Sequence, residues 1–408
     1  MGKRSGNEAD YAGLSRSSKG RARLPERRRK RTTSQIRRQI ERLLQNPRTQ
    51  IPRRCDIPTH LPTYAKNPHF YRELLKHCLR VSHSDARKGL RIASIAIRLT
   101  PYLQNRCLSI QAWLMLSFNL RVLDYLPKSE IAIKIAHSIF LEGECSGCEA
   151  AILRHQAQLL HFRAYKSRDQ RLWDKAGELI KCSVSIGRAA TETDHDIESG
   201  GVAPSLSCLA EILYHSGHPA RAIACASEAL GLITTRRAPE LYDLTVFNLA
   251  VYLKSCGGKE HLLVVEAAII GMRSKFKGHT RLDYFKARLD WLEAQVRWEL
   301  QRAPVGRVWE LVDRARECFR KKGMRIEYVA ITADLGRMRL AERGVVIALV
   351  EDLIRTEGLP LDIRMAVGAV SRAVAKGTWD GEFELIEALR KLRNTTAGGA
   401  VLPAFITY

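Results

Sequence analysis

The chain lacks any apolar run near the roughly 18 residues that a membrane span needs. It opens on polar and basic residues without an apolar signal-type segment, so the expected location is cytoplasmic. Turn formers are few, with 27 Gly and 14 Pro among 408 residues. That argues against a loop-rich or all-β chain, and no segment alternates apolar and polar residues over a convincing strand length. Catalytic signatures are missing as well. There is no phosphate-binding G-x-x-x-x-G-K-[ST], no G-x-S-x-G and no dinucleotide fingerprint. The twelve histidines show no H-E-x-x-H spacing. The expectation is therefore a non-enzymatic chain without a cofactor. Acidic residues are also short, 43 Asp and Glu against 67 Lys and Arg, for a formal net charge of +24.

What is present is enough apolar material for a core, 45% of residues. The charge is unevenly placed. Residues 1–66 carry 18 basic and five acidic side chains. Within them, residues 1–33 are rich in Ser, Gly and Arg and are expected to form a disordered basic arm. Its densest run is Arg27, Arg28, Arg29, Lys30 and Arg31. Residues 34–46 follow as a short amphipathic helix, with Ile36, Ile40, Leu43 and Leu44 on one face and Arg37 and Arg38 beside them. Residues 47–67 are a proline-containing linker. Arginines in such an arm pair with phosphates and release counterions, so these seven basic residues are candidates for a polyanion, including nucleic acid. A solubilising tail has the same composition.

From Asn67 on, apolar residues recur every three to four positions between Gly and Pro punctuation. Leu206, Leu209, Ala210 and Leu213 line one helix face, Gly217 makes a turn, and Ala222, Ala226 and Ala229 line the next. Small residues recur at Ala250, Ala294 and Gly336, which sets a repeat of about 40–44 residues. The periodicity divides residues 68–393 into about eight pairs, 68–99, 105–141, 147–190, 199–233, 239–276, 280–322, 324–357 and 360–393. Residues 394–408 form a tail. The fold class expected is all-α, a right-handed α-solenoid of antiparallel helix pairs with a concave groove.

The pattern L-x-x-L-A-x-x-L…G…A-x-x-x-A-x-x-A resembles the tetratricopeptide repeat. The stretches "HFYRELLKHCLRVSHSDARKGLRIASIAIRL", "AWLMLSFNLRVLDYLPKSEIAIKIAHSI", "LYDLTVFNLAVYL" and "RLDWLEAQVRWEL" carry the resemblance. The order of motifs is similar to that of divergent bacterial proteins of this type. Leu262 and Glu266 depart from it, as does the unit after residue 344. The resemblance implies a protein-interaction or regulatory module that holds a peptide or protein partner along the first helices of its pairs. It places Asn248 where such proteins hold an amide that bonds a bound peptide's backbone. On the same register Tyr214, Phe247, Trp291, Gln295, Trp298, Arg121 and Arg337 fall in or beside the groove, and each aromatic fits equally well in the core between repeats. Arg288, Arg297 and Arg302 around the two tryptophans would make a basic aromatic surface.

Ten cysteines are scattered through the chain. Most read as small apolar residues on helix faces. Cys145-Ser-Gly-Cys148 is a C-x-x-C, two ligands of the four a structural zinc uses, with His155 or His137 as the nearest complements. No metal site follows from two ligands, so loop cysteines remain the simple reading, and a zinc- or redox-sensing scaffold the minor one. The acidic loop around His195 fits no calcium-binding spacing.

Overall fold

The computed structural model describes residues 38, 67–82, 86–103, 105–143, 145, 148–167, 169–191, 201–233, 239–276, 283–302, 305–321, 324–338, 342–356, 359, 361–375, 387–389 and 391–392. The chain divides into two units, Met1–Ala65 and Lys66–Tyr408. In the first unit only Arg38 is described, and it is helical and exposed. The basic run 27–31, Arg37, the rest of the 34–46 segment and the linker up to residue 66 lie outside the described residues. So do residues 192–200, which hold the acidic loop around His195.

The second unit is a succession of helix pairs. They are α1 (Pro68–Ser82) with α2 (Ala86–Leu99), α3 (Arg106–Val122) with α4 (Leu126–Leu141), α5 (Cys148–Ser167) with α6 (Gln170–Thr191), and α7 (Val202–His215) with α8 (Pro219–Leu232). Then come α9 (Pro239–Cys256) with α10 (Lys259–Phe276), α11 (Asp283–Glu299) with α12 (Val305–Lys321), α13 (Arg325–Met338) with α14 (Arg343–Ile354), and α15 (Leu361–Ala375). No strand occurs among the described residues.

Local chemistry sets the boundaries. The Asn105 side chain accepts from the Leu108 amide at 3.0 Å and caps the start of α3. Pro127 and Pro219 sit in the first turns of α4 and α8, where their missing N–H costs nothing. Gly217, at φ +87°, turns α7 into α8, and the His218 amide closes that turn on the Leu213 carbonyl at 2.8 Å.

Each helix packs on the next, and the small residues mark the close approaches. Ala210, Ala222, Ala226, Ala229, Ala250 and Ala294 are all buried. A Cβ at Gly336 would sit 3.4 Å from a Leu389 methyl. The first helices also touch one another, α1 with α3, α3 with α5, α5 with α7 and α7 with α9. The second helices make no comparable contact among themselves. Helices that are closer to their neighbours lie on the inside of a curved array, so the odd-numbered helices from α1 to α9 form its inner face. One apolar cluster runs from Ala157 to Leu349, and smaller clusters extend it towards both ends of the array.

Gly89 of α2 shows how tight this packing is. A Cβ there would stand 2.2 Å from both Asn119 Oδ1 and Ser82 Oγ and 3.0 Å from the Ser82 Cα. Gly89→Val is expected to lower stability by about 1–3 kcal/mol through overpacking. A urea midpoint equal to that of the parent protein would contradict this.

Candidate binding site on the inner face

A helix in a two-layer array normally keeps one face in water. α7 does not, because every residue from Val202 to Tyr214 is buried, Ser205, Ser207 and Glu211 included. Around it the inner helices carry an unusual number of polar side chains out of solvent. Arg121 comes from α3, Arg154, His155, Gln158 and His161 from α5, Glu211 from α7, and Asn248 and Lys254 from α9. On α5, residues 154, 158 and 161 share a face by their spacing.

Arg121, Arg154, His155, Gln158, His161 and Glu211 make one buried polar cluster, the polar chamber. Arg121 Nη2 donates to Gln158 Oε1 at 2.7 Å. His161 Nε2 stands 3.6 Å from Glu211 Oε1. The His161 ring packs edge-on against Trp173 at 4.8 Å and lies 5.1 Å from His215. Tyr214 stacks at a tilt on Tyr252, 4.7 Å between centroids, and its hydroxyl bonds Ser255 Oγ at 2.7 Å. Lys254, buried on α9, pairs with Glu299 at 3.0 Å.

The electrostatics favour an anion. Burial, with Arg121 adding to it, depresses His161 to about 3, and Glu211 offsets this only in part. Burial, then Arg121 and Arg154, holds His155 well below its ordinary value. Both rings are thus neutral at pH 7. Arg154 is 7% exposed, and burial lowers it only to about 10, so it stays charged. Its Nε and Nη1 meet no acceptor. Arg121 and Arg154 thus bring two guanidiniums to bear on His155. His161, Glu211 and His215 present ligand atoms within 4.8 Å of one another. The neutral His161 ring is the ligand form of imidazole, but the Arg121 guanidinium that acts on it opposes a cation there.

The second half of the array answers its buried charges internally. Asp334 accepts from Trp291 Nε1 at 2.8 Å, from Gln295 Nε2 at 2.6 Å and from Arg337 Nη1 at 3.3 Å. Arg273 of α10 bonds both Asp290 and Glu293, and Arg314 Nε reaches Asp290 at 2.6 Å.

The eight groove residues named from sequence all fall on first helices, but in different settings. Arg121 lies in the polar chamber, and Tyr214 is buried at its edge. Phe247 and Trp291 are fully enclosed, and Phe247 packs against Phe285 at 5.3 Å. Asn248 is buried on α9. Trp291, Gln295 and Arg337 converge on Asp334, and Trp298 is exposed at 38%. The basic aromatic surface is not free, because Arg288 pairs with Glu327, Arg297 with Glu293 and Arg302 with Glu266. The residues missed were Arg154, His161, Glu211 and Asp334. Neither His137 nor His155 complements the C-x-x-C. His137 is exposed on α4, and His155 lies beside Arg121 and Arg154. The sulfur that joins Cys145 and Cys148 is Cys107.

No family model matches the chain, and no curated protein does either. Solved structures do. The chain is similar to a Rap protein complexed with Competence and Sporulation Factor, with a TM-score of 0.50 and 14% identity over 80% of this chain and 89% of that one. It is also similar to the apo form of RapI, with a TM-score of 0.47 and 12% identity over 78% and 85% of the two chains. At that identity the likeness is one of fold, an all-α array of helix pairs.

Proposed function

We propose that this chain is a non-enzymatic regulator or adaptor that holds a peptide or protein partner on its inner face. The carrying observation is Arg154, a buried guanidinium with two donor nitrogens unanswered, beside a second guanidinium, Arg121. A buried cation of this kind is stabilised by an incoming carboxylate, and a peptide supplies one at its C-terminus or on Asp or Glu. Trp173, Tyr214 and Tyr252 are packed into the core beside this cluster and hold its polar side chains in place. The Rap protein of similar fold was solved with a bound factor, which agrees with this use of the architecture.

Arg154→Met keeps the aliphatic volume and removes the charge. A pool of random short peptides is panned on the full chain, and enriched peptides are re-measured on both proteins. Loss of a buried charge partner costs about 2–5 kcal/mol, so affinity is expected to fall at least tenfold in Arg154→Met. Amidating or neutralising the peptide's carboxylates should reproduce the loss on the parent protein. Enrichment of no peptide, or equal affinity in a variant that melts normally, removes the reading.

A further inference from the structure

Cys107, Cys145 and Cys148 form a cluster that the polar chamber does not use. Their three Sγ atoms all lie within 4.8 Å of one another. Cys107 is the second residue of α3, Cys148 the first of α5, and Cys145 sits in the turn between α4 and α5. The Cys148 amide donates to the Cys145 carbonyl at 3.2 Å, which holds the two cysteines close. Arg106 Nη1 donates to the Glu142 carbonyl at 2.8 Å and ties the start of α3 to the end of α4. The cluster is therefore built from two helix starts and one turn, held together by bonds that do not involve sulfur. By contrast, Cys78 bonds the Gly89 carbonyl at 3.2 Å as an ordinary buried thiol.

We propose that Cys107, Cys145 and Cys148 form a three-thiolate site for a soft divalent ion of the zinc and cadmium class. Three sulfurs bound at about 2.3 Å to a tetrahedral zinc stand about 3.8 Å apart, so small side-chain rotations bring these three into range. Thiolate is the favoured ligand type for such ions. The starts of α3 and α5 place positive helix ends beside the sulfurs, where negative charge collects on binding. Ile110, Leu114, Ile133 and Ile152 exclude water from one side. Cys107 is only half-buried and leaves a path for the ion. Three thiols bind one divalent ion and release three protons, giving a complex of charge −1. Among the described residues no fourth His, Cys, Asp or Glu ligand joins the cluster. With water or an exogenous thiol in the fourth position, the ion is exchangeable. Binding ties α3 to α5, the helices that carry Arg121 and Arg154.

The test uses the reduced full chain. Cadmium titration is expected to give thiolate-to-metal ultraviolet absorption that saturates at one ion per chain. Cys107→Ser and Cys148→Ser should each weaken binding at least tenfold. Zinc should slow alkylation of Cys107 severalfold while exposed Cys182 and Cys256 react unchanged. This labelling readout stands even if a serine variant does not fold. Absence of the absorption at stoichiometric cadmium, or zinc leaving Cys107 labelling unchanged, overturns the proposal.

Discussion

Trp291→Ala is expected to lower the stability of the chain by about 3–5 kcal/mol. The indole is completely enclosed, meets Phe319 edge-on at 6.0 Å and donates Nε1 to Asp334 at 2.8 Å. Truncation removes the largest side chain in the interface between α11, α12 and α13 and takes one donor from a buried carboxylate. Gln295 and Arg337 still answer Asp334, so the cavity dominates the loss. Trp291→Phe keeps most of the volume and isolates the hydrogen bond, at about 1 kcal/mol for the bond itself. Urea midpoints followed by near-ultraviolet dichroism measure both. A loss under about 1 kcal/mol in Trp291→Ala would mean that the indole is not core. The distinction bears on function. Lost partner capture in Trp291→Ala would report damaged packing, whereas Trp298→Ala, at an exposed site, should leave stability within about 0.5 kcal/mol and report contact.

The array itself was legible because its signals are local. Apolar residues three and four apart, small residues at Ala210, Ala222, Ala226 and Ala250, and turns at Gly217 and Gly257 each act within one helix or one turn. The register also placed the groove candidates on first helices. It did not separate exposed from enclosed, since an aromatic on a first helix serves the groove and the inter-repeat core with the same spacing. Trp291 and Trp298 lie seven residues apart on α11, yet one is sealed and the other open.

The buried polar pairs were not legible because their partners come from neighbouring repeats. Arg121 meets Gln158 at a separation of 37, Gln295 meets Asp334 at 39, and Trp291 meets Asp334 at 43. Each separation is about one repeat. A donor and an acceptor one repeat apart on successive first helices is thus the signal that would have found these pairs. Cys107 stands in the same relation to Cys145 and Cys148, whereas the sequence reading sought the missing ligand among the nearer histidines.

Acidification should destabilise this protein before its exposed carboxylates protonate. An unfolded histidine takes up a proton near pH 6.5. Folded His161 does so only at about 3, and folded His155 is depressed in the same direction. The group's folded value lies below its unfolded one, so the unfolded state binds more protons throughout that interval. Stability is then level above about pH 6.5 and falls as pH drops, by about 1.4 kcal/mol per pH unit for each such ring. His161 alone accounts for about 2 kcal/mol by pH 5 and roughly 5 kcal/mol near pH 3. His155 adds a loss of the same sign. The groups facing His161 fix the direction. Burial and Arg121 oppose its protonation, and Glu211, 3.6 Å away, favours it without reversing the balance. Urea midpoints at pH 7, 6 and 5 should therefore fall steadily, and His161→Gln should fall less steeply by nearly one proton's slope. A midpoint level from pH 7 to 5, or an unchanged slope in His161→Gln, would show that the chamber admits the proton and that its positive charge does not govern what binds there.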